Sequence, residues 1–195
     1  NTAYEYAGKV VSGAAIGTWK RTAMDRDQLS QLATWSCDRQ PVDLDYRSDL
    51  ADRDEVQAEY DRLIVQENAT QQAGDLEAAR QFRALAERQK RALGRLAGKP
   101  DGKRFPLQTA TWRMGDAIWV AVQGEPYSLL QESLRKRFPD NPIIVITIAN
   151  GWGPSYLPPR EIYGEGIYQE VISWLAPGSL ERLIEELSNR IDAML

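Results

Sequence analysis

The spacing of apolar and polar positions predicts an α/β fold, most clearly in the second half of the chain. Alternating residues at 109–113 and 117–122 flank Met114-Gly115-Asp116, and a Gly-Asp pair after an alternating run is typical of a β-hairpin turn. A helix, a further strand and a final helix follow. This order of elements predicts a layered sheet with flanking helices.

The elements after this hairpin each have a recognisable pattern. Residues 126–138 predict a helix that begins at Pro126, because proline fits the first helical position, and this start places Glu125 at the helix cap. Residues 143–149 are apolar and mostly β-branched, which predicts a buried strand. The last helix is predicted over 179–194, and its apolar face comprises Leu180, Leu183, Ile184, Leu187 and Ile191.

Residues 1–46 are predicted to add a helix and a strand to the same α/β body. Small residues recur at helical spacing over 2–18, which predicts a helix that packs closely against another part of the protein. Over 34–46, apolar residues alternate with Asp43 and Asp45, which predicts a strand.

Between this segment and residues 105–195, the chain predicts a long helical hairpin over 47–104. Its first helix begins at a capping sequence that starts with Asp52. The second helix covers about 74–97 and ends before a Gly-Lys-Pro sequence. The apolar face predicted for this second helix comprises Leu76, Ala79, Phe82, Leu85, Ala86, Leu93 and Leu96.

The hairpin divides sharply by charge. Residues 43–79 hold 11 acidic and 3 basic residues, whereas residues 80–104 hold 2 acidic and 9 basic residues. One interpretation is that the two helices attract each other across solvent. The other is that the basic helix binds an anionic partner, such as nucleic acid or a lipid headgroup. We favour the first, because charge runs usually mark solvated faces.

Composition argues against several classes of function. The net charge of −4 argues against a nucleic-acid-binding protein. The longest apolar run is far shorter than the roughly 20 residues of a membrane-spanning helix, so no transmembrane segment is expected. The chain contains no histidine and a single cysteine, Cys37, which makes a complete hydrolase site within it unexpected. It begins with Asn1, which predicts a piece of a longer protein.

Two segments contain the candidate residues for binding a cation or a substrate. Glu125 lies in a Gly-Glu-Pro sequence after a predicted strand, and it is either a capping carboxylate or a group that binds a cation or substrate. A loop over 150–166, with four glycines and three prolines, leaves the predicted strand 143–149 at the end where α/β sheets usually bind ligands. The loop is either an ordered turn or a binding loop, and Trp152 is the tryptophan expected near a site.

Residues of these segments resemble a known family. Glu125 in Gly-Glu-Pro, Tyr156 in the loop after Ala-Asn, and Tyr168 in Gly-Ile-Tyr-Gln-Glu resemble the neutral/alkaline (non-lysosomal) ceramidase family, in particular bacterial members of unassigned substrate. In that family a glutamate follows a strand, and two tyrosines lie twelve residues apart, as Tyr156 and Tyr168 do here. The resemblance covers residues 105–195, extends faintly over residues 1–46 and omits the predicted hairpin at 47–104.

The resemblance implies a zinc-dependent amide hydrolase that acts on an N-acyl lipid or amide. It implies that Glu125 and Tyr156 are zinc ligands, and that histidine ligands come from the upstream half of the same polypeptide. Tyr168 is then the catalytic contact to the substrate amide, and Asn150 and Trp152 help to bind the substrate. Zinc is expected in the full-length protein, and the isolated chain is expected to be inactive. Such proteins often act outside the cytoplasm, which implies a secreted or periplasmic location.

A function of a different class fits the same residues. The chain is then a non-catalytic interaction module that docks a partner through the hairpin at 47–104. In this alternative, the turns that carry Glu125 and Tyr156 are structural.

Overall fold

The computed structural model describes residues 35–195, and these residues form the α/β fold that the sequence predicts. The helix expected within 2–18 lies outside the described residues. None of the described helices combines the length and the hydrophobicity that crossing a bilayer requires. The helices and strands are, in chain order, β1 (Trp35–Asp38), β2 (Val42–Asp45), α1 (Arg53–Gln72), α2 (Leu76–Leu96), β3 (Arg104–Leu107), β4 (Thr109–Met114), β5 (Ala117–Val122), β6 (Glu125–Pro126), α3 (Leu129–Arg137), β7 (Ile143–Ile146), β8 (Tyr156–Leu157), a 3-10 turn (Arg160–Ile162), α4 (Tyr168–Ile172) and α5 (Ser179–Met194).

Four strands form the central sheet, in the order β1-β4-β5-β7. The β4–β5 hairpin turns at Gly115, as the Gly-Asp pattern predicts, and it pairs Trp112 with Trp119 in antiparallel register. After the α3 connection, β7 joins β5 in parallel. Helices α3 and α5 cover one face of this sheet, and the side chains of Ile118 and Val120 are fully buried beneath them.

The final helix, α5, has the predicted bounds and buries the predicted apolar face. Leu180, Leu183, Leu187 and Ile191 are fully buried in the core, and Ile184 packs against its edge. Residues spaced three and four apart lie on one side of a helix, which is why periodicity is sufficient to predict this element.

The strand predicted over 143–149 is shorter and less buried than its composition suggests. It ends at Ile146 and lies at the edge of the sheet. Ile146 is 42% exposed and Ile148 is 43% exposed. The same outer face of the sheet carries the exposed side chains of Trp35 and Met114. The prediction of a buried strand is wrong because an apolar run indicates hydrophobicity and not how many layers cover the sheet.

The single strand predicted over 34–46 is two strands that belong to different sheets. β1 pairs with β4 in the central sheet, whereas β2 pairs with β3 in a separate two-stranded sheet, with Leu44 opposite Phe105. The break falls at Pro41, which has no amide hydrogen to donate to a ladder. The β2–β3 pairing brings together the parts of the chain that precede and follow the helical hairpin.

Helices α1 and α2 form the predicted hairpin and pack mainly on each other. The first begins as predicted, because the Asp52 carboxylate accepts a hydrogen bond from the backbone N–H of Asp54 at 2.8 Å. Glu67 on α1 and Arg83 on α2 form an ion pair of 2.6 Å. This pair is an attraction between the acidic and the basic helix of the kind that the charge pattern suggests.

The buried face of α2 is narrower than its periodicity predicts. Ala79, Ala86 and Leu96 are buried, whereas Leu76 and Leu85 are exposed and do not face inward as expected. The helix contact uses the small alanine side chains, which allow a close approach, and the larger leucines lie beside it.

Candidate functional site

Glu125 and Tyr156 lie side by side on two short parallel strands. In the β6–β8 ladder, Glu125 is the direct partner of Tyr156. The backbone N–H of Glu125 donates to the Ser155 carbonyl at 2.9 Å, and that of Tyr127 donates to the Leu157 carbonyl at 3.2 Å. The loop that follows the central sheet is therefore attached by its backbone to the residues after β5.

This ladder corrects the helix predicted over 126–138. Pro126 is a strand residue and not the first helical residue, and α3 begins only at Leu129. The peptide groups around Pro126 are occupied by the ladder, so a helix cannot start there. Glu125 is therefore not a helix cap, and the capping interpretation of its carboxylate is wrong.

Gly124 permits this close approach of the two segments. Its φ of +77° lies in the left-handed region, and a Cβ atom at this position would lie 2.9 Å from the Ser155 carbonyl oxygen. A larger residue would both strain the backbone and push the loop away. The Gly-Glu sequence is thus required by the geometry that places Glu125 beside Tyr156.

Two further aromatic rings contact the Tyr156 member of this pair. The Tyr156 ring contacts Trp152, with ring centroids 5.8 Å apart, and Tyr168, with centroids 6.2 Å apart; both contacts are edge-to-face. The Ser173 hydroxyl, just after α4, donates to the Tyr156 carbonyl at 2.8 Å and fixes the spacing between the two segments. The fold thereby brings together Glu125, Trp152, Tyr156 and Tyr168, which lie in separate segments of the sequence.

The surroundings of Tyr156 favour the neutral form of its phenol. Burial, and then the neighbouring Glu125 carboxylate and Tyr168, raise the pKa of the Tyr156 phenol above its ordinary value. The phenol of Tyr156 therefore ionises less readily than that of a free tyrosine, and the two side chains can exchange a hydrogen bond or offer two oxygens to a cation.

These two oxygens fit part of a zinc site and not a whole one. Catalytic zinc usually takes about three protein ligands. Within residues 35–195, no group of three or more histidine, cysteine, aspartate or glutamate side chains is arranged to hold a metal ion. Further ligands must come from elsewhere if Glu125 and Tyr156 bind zinc.

A buried carboxylate holds the segment that carries Tyr168. Glu170 accepts hydrogen bonds from the backbone N–H groups of Gly164 at 2.9 Å and Gly166 at 2.8 Å. These hydrogen bonds, together with the nearby Arg47 guanidinium, lower the pKa of Glu170. Glu170 is thus a positioning residue, since it shapes the turn from which Tyr168 emerges.

The loop after β7 has an unusual backbone. Ile148, Asn150 and Ser155 have φ angles of 59°, 61° and 73°, in the left-handed region that non-glycine residues seldom occupy. Hydrogen bonds hold this shape: the N–H of Ile148 donates to the Gly124 carbonyl at 2.8 Å, and that of Ala149 to the Val122 carbonyl at 3.0 Å. Strained residues of this kind concentrate at functional sites.

A cavity of about 800 Å³ opens beside the aromatic rings. Asn150, Trp152 and Tyr168, the residues expected to bind substrate, all lie in its wall. Its floor includes Phe105 and Trp174, whose rings meet edge-to-face with centroids 5.9 Å apart. Glu125 and Tyr156 are not among its lining residues, but the Tyr156 ring contacts the wall residues Trp152 and Tyr168.

Several wall residues are not among those that the sequence singles out, and they include Arg91 and Arg95 on α2 and Trp174. The two arginines lie one helical turn apart in the basic helix, so their i, i+4 spacing was a visible signal. The sequence could not show that this part of the hairpin, rather than the remainder, faces the loop. Trp174 has no local pattern that marks it.

The site thus has three connected parts: the Glu125–Tyr156 oxygens, the aromatic contacts to Tyr168, and a largely apolar cavity with two arginines in its wall. Such a site can bind a cation, donate a phenolic hydrogen bond and accommodate an apolar molecule. No family model, curated protein or solved structure matches the chain.

Proposed function

We propose that this chain supplies the substrate-binding part and two metal ligands of a zinc-dependent amide hydrolase similar to the neutral ceramidases. The observation that carries the proposal is the arrangement of Glu125, Tyr156 and Tyr168. The first two are ladder partners, and the third contacts the Tyr156 ring at the edge of the cavity. Residues that are far apart in the sequence and resemble one family's site thus form one cluster.

In this proposal, each residue has a separate role. Glu125 and Tyr156 hold the metal from one side, and histidines from the upstream half of the polypeptide complete its coordination. Zinc, when bound, supplies a Lewis acid that polarises the substrate amide. Tyr168 is 64% exposed, so its hydroxyl is free to donate a hydrogen bond to the amide oxygen. Asn150 and Trp152 contact the acyl part of the substrate in the cavity.

The proposal also explains why the chain alone should not hydrolyse amides. It contributes two metal ligands and contains no histidine. An incomplete site binds zinc weakly, because affinity depends on the number of ligands that the fold arranges in advance. Turnover of an N-acyl substrate by the purified 195-residue chain would contradict this expectation.

Zinc content of the full polypeptide tests the proposal. We expect about one zinc per chain in the parent protein and a clear loss in both Glu125→Gln and Tyr156→Phe. Glu132→Gln, at an exposed carboxylate on α3, is the matched control and should retain zinc. A full polypeptide without zinc, or variants that bind zinc as well as the parent, would overturn the assignment of these ligands.

One observation favours the alternative of an interaction module. The hairpin helices pack mainly on each other and leave Val65, Leu76 and Leu85 exposed, and these are apolar side chains that a partner could cover. In that case, deletion of residues 50–97 should abolish a complex while the remaining chain stays folded. A deletion that leaves every complex intact would exclude docking through the hairpin.

A further inference from the structure

We propose that the cavity between α2 and the strained loop binds an anionic amphiphile, with its apolar chain on the Phe105–Trp174 floor and its anionic head at Arg91 and Arg95. The inference deepens the proposed hydrolase function and rests on it where it names a substrate class: an N-acyl compound that carries a carboxylate or a phosphate group.

The floor of the cavity is suited to a hydrocarbon chain. Phe105 is 3% exposed and Trp174 is 6% exposed, and Ile172 adds a further buried apolar side chain to the wall. The volume of about 800 Å³ lies within the range of roughly 300–1,000 Å³ that is typical of small-molecule sites. Apolar floors of this kind provide affinity, and a few polar groups fix the orientation of the ligand.

The arginines provide the charge that an anionic head requires. Arg91 and Arg95 lie one turn apart on α2, so both face the cavity from the same side of the helix. Arg83, on the same helix, has a carboxylate partner in Glu67. Across residues 35–195, no carboxylate lies within ion-pair distance of Arg91 or Arg95. Two guanidinium groups at one cavity, without a carboxylate partner in the described part of the chain, favour a bound carboxylate or phosphate, which they can hold in a bidentate manner.

Ser155, in the loop that borders the cavity, contains an unsatisfied polar group. Its residue is 2% exposed and lines the cavity, yet its hydroxyl has no hydrogen-bond partner among the described residues. Buried hydroxyl groups are nearly always satisfied. The hydroxyl oxygen itself has almost no accessible surface, so it lies beneath the cavity wall, and the anionic head is recognised by Arg91 and Arg95.

Equilibrium binding tests the inference most directly. The full polypeptide would be titrated calorimetrically, below the micelle concentration, with N-lauroylglycine, dodecyl phosphate and the neutral N-lauroylglycinamide. We expect the anionic ligands to bind at least about tenfold more tightly than the neutral one, in line with charge-assisted hydrogen bonds. Whichever of the carboxylate and the phosphate binds more tightly identifies the head group.

Variants test whether Arg91 and Arg95 cause the preference for anionic ligands. Arg91→Gln combined with Arg95→Gln should weaken binding of the preferred anion at least about tenfold, with little change for the neutral ligand. Arg88→Gln is the matched control, because it removes the same charge from an exposed position of α2 outside the cavity wall. It should change affinity less than about twofold, as expected of a screened surface charge. Circular dichroism verifies that each variant is folded.

Three results would overturn the inference: equal affinity for neutral and anionic ligands, an equal effect of Arg88→Gln and the double variant, or no binding of any of the three compounds. None of these results depends on zinc. Zinc that is retained by the parent and lost in Glu125→Gln would therefore leave the hydrolase proposal standing when the anionic amphiphile fails. Conversely, binding of the amphiphile without zinc would leave a lipid-binding site without the hydrolytic chemistry.

Discussion

The carboxylate of Glu125 and the phenol of Tyr156 belong to directly paired residues of a parallel ladder that is only two residues long. The ladder is short, yet it is supported on both sides, because backbone hydrogen bonds also connect Ser155 and Leu157 to the opposite segment. The two side chains therefore keep a fixed position relative to each other, and a substitution at one alters the environment of the other.

The first prediction follows from this coupling. Glu125→Gln removes a negative charge that raises the pKa of Tyr156, so the phenol should ionise at a lower pH than in the parent protein, although burial still holds its pKa above the ordinary value. Spectrophotometric titration of tyrosinate measures this, with Tyr156→Phe identifying the component that belongs to Tyr156. Glu132→Gln should leave the titration unchanged. An unaltered Tyr156 titration in Glu125→Gln would show that the two groups are not in electrostatic contact.

The second prediction concerns the pH dependence of stability at Glu170. Because the pKa of Glu170 is lowered in the folded chain, its carboxylate stabilises the fold above the unfolded pKa of about 4.3, and the contribution is lost as the pH falls through the folded value. Glu170→Gln should therefore lower the melting temperature at neutral pH, and the difference from the parent should shrink in acid.

The matched control for this experiment is Glu165→Gln, an exposed carboxylate in the same turn. It should leave the melting curve nearly unchanged at every pH. Because Glu170 positions the segment that carries Tyr168, Glu170→Gln should also weaken binding of a cavity ligand. A melting difference that is the same at neutral and acid pH would contradict the role assigned to the charge.

The third prediction tests the core beneath the central sheet. Leu183 is fully buried on α5, and Leu183→Ala should lower the free energy of unfolding by about 2–5 kcal/mol through lost burial and the cavity left behind. Glu185→Ala, at an exposed position of the same helix, should change it by less than about 0.5 kcal/mol. Urea denaturation of both variants gives the comparison, and similar effects at the two positions would contradict the packing described for α5.

The sequence predicts those elements whose structure depends on local pattern. The period of α5 and the Gly-Asp turn at Gly115 are properties of neighbouring residues, so the final helix and the β4–β5 hairpin are found with nearly correct bounds. The two-residue strands β6 and β8 have no such pattern, because each exists only through its distant partner. For the same reason Pro126 is mistaken for a helix start.

The residues of the candidate site also differ in whether the sequence around them marks them. The composition of one loop, rich in glycine, proline and aromatic residues, marks that loop and Trp152, whereas Asn150 and Tyr156 are selected through the family resemblance. Arg91 and Arg95 can be recognised only as members of a basic helix. Their position at the cavity results from how the hairpin meets the body, which charge patterning does not determine.

The left-handed backbone at Ile148 and Ser155 also creates a trade-off between the stability of the fold and its affinity for a ligand. Glycine adopts such φ angles without the steric cost of about 1–3 kcal/mol that other residues bear. Ile148→Gly and Ser155→Gly are therefore expected to raise the melting temperature, and the second also removes a hydroxyl without a partner among the described residues. Both replacements should widen the range of shapes that the loop samples and so weaken ligand binding, since a loop held in one conformation loses less entropy on association. Selection for heat resistance alone would thus favour glycine at these two positions, and the cavity wall would lose the single conformation that favours ligand binding.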